Sequence, residues 1–588
     1  MHPGLTTLLV AGLLLLSPAT ANADNAPRWL RLSWAGSDAS ESMAITWNTD
    51  TCEATTWVQH GPTPALGIDA TGTAFQGNGG LGCVHEVELL GLAPQATHHY
   101  RVGEPGNWSP VHTFTTGPVA GCGPTSFVVL GDNRSQDNYG PAPQWPDIYA
   151  HALESAPDFV IDTGDIVKDG KETLQWINYL HETAELLPLA PHLPSLGNHD
   201  EDLKEGDYAN YNQVFQLPRN EVTGTEDYYY FTHGDAIFVA LSTSTWTGGT
   251  LPFQAQADWL DQVLTENPRT WKFVYFHHPI FTSYALLDLI LDEIELNHPP
   301  NEKNQNPALL PVIDKHHVDI VFSGHNHFYE RFSPMTAGTD PTVGVPAPSP
   351  SLGTTYITTG GAGAFTYDEV DLAIVEIDLT DDLICSSQFQ AVGSQICSGR
   401  HHFVRVSIDG SQLTGEVIAT AAQNFSNDEA NVEVLDTFSI VKPVPTVDCS
   451  ASDEEETPDG GDTAQETGDI VGEADGEDPS EQDAAPTDDA TEGHDSIDSD
   501  SQEDSPPSPD SGGETTGSPD KPSPGDSSSR EGDTAPGEST GDAPQGETIQ
   551  SAGDDGCRQT RAPSRILPFA LLLLALQMYR RARKEGAT

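Results

Sequence analysis

Between residues 126 and 330 the chain repeats one arrangement: a short, strongly apolar run followed at once by a few polar residues that begin Gly-Asp, Gly-His or His-His. Phe127-Val128-Val129-Leu130, Phe159-Val160-Ile161, Phe273-Val274-Tyr275-Phe276 and Asp319-Ile320-Val321-Phe322 are too apolar to be half-exposed strands. Such runs are expected to be covered on both faces, as in a layered α/β architecture. Gln256 to Thr265 reads as a covering helix, with Trp259, Leu260 and Val263 on one side. That pattern leaves few folds open to this part of the chain.

The stretch before it is patterned differently. Residues 27 to 116 carry period-two alternation in Leu30-Arg31-Leu32-Ser33-Trp34, Met43-Ala44-Ile45-Thr46-Trp47 and Glu86-Val87-Glu88-Leu89, the signature of a small antiparallel sandwich. Its end, Leu92 to Val102, resembles the proline-bearing corner and following strand of fibronectin-type domains. Gly117 to Pro124 reads as a linker. Near the far end, Phe403 to Ile408 turns at Asp409-Gly410 into Gln412 to Val417, a hairpin by its turn residues, and the large domain is expected to close near Val441.

Residues 450 to 556 hold 33 Asp and Glu against Lys521 and Arg530, with no Phe, Trp, Tyr, Leu or Met. No core can be built from that composition, so an extended acidic spacer is expected. The whole chain carries a formal charge of −64, which excludes nucleic-acid binding through a basic face. At the N-terminus, Leu8 to Leu16 followed by Ala21-Asn22-Ala23 reads as a cleaved secretory signal. At the C-terminus, Cys557 precedes the apolar Ile566 to Met578 and the basic Arg580, Arg581, Arg583 and Lys584. That order resembles the C-terminal sorting tails of myxobacteria, which implies contact with the cell envelope and display at the cell surface. In an exported chain, cysteines favour disulfides. Cys52 with Cys83, Cys385 with Cys397, and Cys122 with Cys449 are the expected pairs. The expected segments are a signal peptide at 1–23, a sandwich at 24–120, a large α/β domain at 121–449, a spacer at 450–556 and a sorting segment at 557–588.

The polar blocks carry the chemistry. They are Gly131-Asp132-Asn133-Arg134, Gly164-Asp165, Gly197-Asn198-His199-Asp200, His277-His278-Pro279 and Gly324-His325-Asn326-His327. Alone, the first four are ordinary turn, cap or packing motifs, while the repeated histidines of Gly324-His325-Asn326-His327 place two imidazoles on adjacent loop positions. Together, at the carboxyl ends of buried strands, they converge on one crevice as an oxygen-and-nitrogen set suited to metal ions.

In this order the blocks resemble the calcineurin-like metallophosphoesterase superfamily. The preceding sandwich and Gly324 to Arg331 resemble its purple acid phosphatase branch, over roughly residues 27 to 441. The resemblance implies a layered α/β/β/α domain with two metal ions, iron, zinc or manganese. Asp165 would bridge them, Asp132 and His327 would hold the first, and Asn198, His277 and His325 the second. His199 would act on the leaving group, with Asp200 orienting it. Two positions depart from the family. Arg134 stands where the family has His or Gly, and Lys168 where the purple branch has its tyrosine. Arg134 offers a planar donor fork for phosphate, the equal alternative being a salt-bridged surface arginine.

The expected function is hydrolysis of a small-molecule phosphomonoester outside the cell by a metal-bound hydroxide, the protein being surface-displayed, envelope-anchored or released. Phosphodiesters or nucleotides are the alternative within the same chemistry, and a decayed phosphatase domain acting as a surface binding protein is the alternative from another class. Tyr284 to Leu310, an insertion after the His277 block, is expected to be either a lid or a peripheral helix.

Overall fold

Phe127 shows why the apolar runs need cover on both faces. Its ring stacks on Phe159 of its own sheet at 5.4 Å and meets Phe238 and Phe273 of a second sheet edge-on at 5.0 and 5.2 Å. Fully burying one such side chain is worth about 1.5–3 kcal/mol, and all four rings are fully buried. The computed structural model describes residues 25–443 apart from 136–137, 203–205, 244–252, 284–304, 339–343, 365, 367–370, 373–376, 379–384, 386–389 and 421–431.

Two sheets face each other across this aromatic layer. The first orders its strands His192–Pro194, Phe159–Asp162, Thr125–Leu130, His402–Asp409, Gln412–Ala419 and Glu433–Val441. The first three are parallel, and the expected hairpin at Asp409-Gly410 is present. The second sheet orders Tyr229–His233, Ala236–Ala240, Trp271–Phe276, Ile320–Ser323, Thr355–Thr359, Tyr329–Phe332 and Ser394–Ser398, with a parallel centre. Helices Trp145–Leu153 and Thr173–Glu182 cover the first sheet, and Phe253–Glu266 and Gln305–His316 cover the second. The architecture is therefore α/β/β/α, as the resemblance implied. The helix read at Gln256 to Thr265 lies within Phe253–Glu266 and buries Trp259, Leu260 and Val263.

The N-terminal sandwich pairs a four-stranded sheet with a five-stranded one. Its alternating sequence predicts one exposed face, yet all eight residues of Ser42–Thr49 are buried. The reason is docking against the large domain. Arg31 Nε donates to Val214 O, Ser33 Oγ to Gln216 O, and Gln213 Oε1 accepts from Asn78 N at 2.7 Å. The polar face is thus consumed by the second domain rather than by water. Disulfides Cys52–Cys83 and Cys385–Cys397 form as expected, while Cys449 lies outside the described residues.

The signal segment, the acidic stretch 450 to 556 and the C-terminal tail also lie outside the described residues. Among the described residues no helix is long and apolar enough to cross a membrane. Of the insertion at Tyr284 to Leu310, residues Gln305 to Leu310 open the helix Gln305–His316 and bury Ala308, Leu309 and Leu310. Gln305 Nε2 donates to His278 O at 2.7 Å and Asn306 Nδ2 to Ile280 O at 3.1 Å, which ties the helix start to the His277 loop.

Candidate metal centre

Each polar block lies directly beyond a parallel strand, and the two sheets contribute different members. Asp132 follows Thr125–Leu130, Asp165 follows Phe159–Asp162 and Asn198 follows His192–Pro194, all in the first sheet. His277 follows Trp271–Phe276, and His325 and His327 follow Ile320–Ser323, in the second. The chain must reverse sharply to keep these side chains at the strand ends. Asp132, Asp165 and His325 take up left-handed backbone at φ 59°, 60° and 67°. Residues other than glycine rarely do so, and the cost is about 1–3 kcal/mol each, a strain that marks functional loops.

Four side chains converge. Asn198 Oδ1 lies 3.1 Å from His277 Nε2 and 3.0 Å from His325 Nδ1, and those two nitrogens are 3.2 Å apart. Asp165 Oδ1 is 3.2 Å from His277 Nε2. Among the described residues, Asp165, His277 and His325 form the one group of three His, Cys, Asp or Glu residues able to share an ion. His277 Nδ1–H donates to Thr163 O at 2.9 Å, so Nε2 turns its lone pair inward. Lone pairs so close repel unless a cation lies among them. Burial opposes a charged His277, but the carboxylates of Asp165 and Asp132 raise it to about 9, so the surroundings of this ring favour positive charge. Burial also disfavours the Asp165 carboxylate, yet His277, His199 and Arg134 hold it well below the usual carboxylate range.

On the other side of Asp165 stands Arg134. Its Nε donates to Asp165 Oδ2 at 3.1 Å and its Nη2 lies 3.4 Å from His327 Nε2. His327 Nε2 is in turn 3.5 Å from Asp132 Oδ1, an oxygen with no hydrogen-bond partner among the described residues, while Asp132 Oδ2 accepts from His325 N at 2.7 Å. The predicted residues Asp132, Arg134, Asp165, Asn198, His199, His277, His325 and His327 are thus brought together.

Asp200 is placed differently from the expectation that it orients His199. Its carboxylate accepts from the backbone N–H groups of Asp165, Ile166, Val167 and Gly197 at 2.8 to 3.1 Å, and so fastens two ligand loops to each other. His199 is oriented instead by Lys168 O, which accepts from Nδ1 at 2.6 Å. Burial lowers the His199 imidazole below its ordinary value. Sequence reading missed Thr163 and Lys168 as orienting groups because both act through backbone carbonyls.

Comparison with known proteins agrees with this fold. Residues 125–329 match the calcineurin-like phosphoesterase family and residues 27–116 the purple acid phosphatase N-terminal domain. Purple acid phosphatase 15 of Arabidopsis thaliana is 25% identical over 291 residues, which cover 42% of this chain and 49% of that protein. Purple acid phosphatase 21 of the same plant is 25% identical over 355 residues, 57% of this chain and 71% of its own length. The chain therefore spans only about half of the first relative's length. In fold, it resembles purple acid phosphatase PPD1 from yellow lupin seeds, with a TM-score of 0.54 at 19% identity over 71% of this chain and 74% of that one. The chain carries a calcineurin-like phosphoesterase domain behind a purple acid phosphatase N-terminal domain.

Proposed function

We propose that the protein is an exported, metal-dependent phosphomonoesterase. The observation that carries the reading is the meeting of four metal-type donors beside a guanidinium and a histidine with its Nδ1 already engaged. The donors fit a metal. Corners of a tetrahedron with ligand bonds of about 2.0–2.1 Å stand roughly 3.3–3.4 Å apart, and the spacings among Asp165, Asn198, His277 and His325 are 3.0 to 3.2 Å where measured. When bound there, a divalent metal supplies a Lewis acid that offsets phosphoryl charge and makes water nucleophilic near neutral pH.

The chain's own groups do the rest. Thr163 O fixes the tautomer of His277 and Asp200 fixes the loop of Asp165, so the donor set is held in place before substrate arrives. Arg134 presents its remaining N–H groups to phosphoryl oxygens, a geometry suited to a dianion. With Nδ1 of His199 donating to Lys168 O, Nε2 is the nitrogen left to serve the leaving oxygen; the neutral ring keeps its one proton on Nδ1, so it is the doubly protonated ring, favoured at acid pH, that passes a proton from Nε2 to the departing alkoxide. Export and display at the cell surface rest on the N-terminal apolar run and on the Cys557, apolar and basic order of the tail.

The test is hydrolysis of p-nitrophenyl phosphate and bis(p-nitrophenyl) phosphate by the full chain, before and after chelation and with divalent metals restored. Monoester turnover that chelation removes and metal restores is the expected result. Preference for the diester would replace the substrate class, and no turnover of any ester with any metal would overturn the enzyme reading.

A further inference from the structure

The two halves of the centre differ in what already fills them. Around His277 the lone pairs face one another. Around Arg134 they face a cation. Of the three atoms from which the family's first metal position would be built, Asp165 Oδ2 accepts from Arg134 Nε at 3.1 Å and His327 Nε2 lies 3.4 Å from Arg134 Nη2. The third, Asp132 Oδ1, is 3.5 Å from the same His327 nitrogen. A guanidinium has donors only and keeps its charge at any ordinary pH, so in a hydrogen bond with Arg134 Nη2 the acceptor is His327 Nε2, whose lone pair is the one a metal would use.

We infer that the Arg134 guanidinium takes the place of the first metal, and that the chain binds a single metal ion, at Asp165, Asn198, His277 and His325. The inference rests on the metal-dependent reading above and narrows it to one ion. Three observations support it. Arg134 is buried, its backbone is held by its N–H donating to Asp165 O at 3.1 Å and by an isolated bridge to Pro141, and its head group is tied by Nε to Asp165 Oδ2 at 3.1 Å, so it is held away from solvent. A dication at the Asp165 and His327 pair would stand against a permanent cation in a site shielded from water, where like charges repel most strongly. The metal-competent triad of described residues includes His277 and His325 but neither Asp132 nor His327. One metal and one guanidinium then share the phosphoryl group between them, the metal polarising it and the planar fork holding it.

The experiment is metal counting on the full chain. After chelation, the protein is reloaded with excess Mn2+, desalted and measured by mass spectrometry for manganese per chain, with electron paramagnetic resonance on the same samples. Wild type is expected to hold one equivalent with the spectrum of an isolated ion. Arg134→Ala and Arg134→Gln are expected to hold two, with the spectrum of an exchange-coupled pair, whereas Arg134→Lys stays at one. Two coupled ions in wild type would overturn the inference and leave the metallophosphatase reading standing, as would an Arg134→Ala and Arg134→Gln pair that both remain at one. No manganese in wild type or any variant would overturn both. His325→Ala, which removes a ligand of the retained site, should hold none, and a full equivalent in it would show that the ion lies elsewhere.

Discussion

A carboxamide oxygen wedged between two imidazole nitrogens at 3.1 and 3.0 Å is a poor arrangement for a protein that needs only to fold. Asn198 lies in a half-buried loop, so its loss should cost chemistry and not architecture. Asn198→Ala or His325→Ala is expected to lower phosphatase turnover at least about 100-fold, since even partners outside the ligand set commonly account for 10–100-fold. The melting temperature should stay within a few degrees, and wild-type turnover in either variant would sink the ligand assignment. The same scale settles a question of colour. Position 168 is Lys, and the nearby Tyr329 is engaged elsewhere, its hydroxyl donating to Asp436 Oδ2 at 2.8 Å. Burial and the Asp436 carboxylate raise that phenol well above its ordinary value, so Tyr329 does not supply a tyrosinate. Protein loaded with ferric iron is therefore expected to lack a tyrosinate charge-transfer band. An intense visible band would show that a tyrosine reaches the metal.

Strand ends and their loops decide how closely the two sheets can bring their ligands together. Gly324 opens the His325 loop where a Cβ would stand 2.4 Å from Asp132 Oδ2 and 2.7 Å from Thr163 Oγ1, closer than real Cβ contacts come. Gly324→Ala should push the loop away and break the His325 N–H bond to Asp132. Metal affinity is expected to fall about 10–100-fold, the range for lost outer support, with the fold retained. Calorimetric metal titration checks this, and wild-type affinity would mean that the loop yields freely. Much of this element layout was legible beforehand. The runs at Phe127, Phe159, Phe273 and Ile320 announce themselves because burial on both faces leaves three or four apolar residues in a row within each strand. His192–Pro194 did not, being three residues long with a His and a Pro among them. The ligands were legible as polar blocks after apolar runs. The role the resemblance implied for Asp200, a side-chain partner of His199, is not the one seen, since its actual partners are four backbone N–H groups that no sequence pattern displays. The buried polar face of the sandwich was likewise invisible, since alternation reports only that two faces differ, not what covers the second.

Over the whole molecule, the fold depends on two sheets staying face to face, and a histidine lies across that seam. His402 begins a strand of the first sheet, and its Nε2 meets Thr359 Oγ1 of the second at 3.1 Å, while Nδ1–H donates to Arg400 O at 2.8 Å. The neutral ring therefore has both nitrogens satisfied, with Thr359 donating. A second ring proton would displace that donor in a site with no exposed surface, and burial lowers His402 from 6.5 to about 4. The sign follows from which state holds more protons. Above pH 6.5 the ring is neutral folded and unfolded, so its contribution is complete. Between 6.5 and 4 the unfolded chain takes up a proton that the folded chain refuses, and stability is lost as pH falls. A depression of this size corresponds to about 3 kcal/mol in total. The measurement is a difference, which removes the many other groups that titrate in the same range. Urea unfolding of wild type and His402→Gln from pH 7.5 to 4 should show wild type more stable at the top of the range, by an amount that stays constant down to about 6.5 and then shrinks by about 3 kcal/mol at pH 4. A difference that stays constant across the range would mean that His402 titrates normally in the folded protein and that the seam opens enough to hydrate it. A difference that shrinks as predicted would set an acid limit on the molecule that comes from the join between its two sheets.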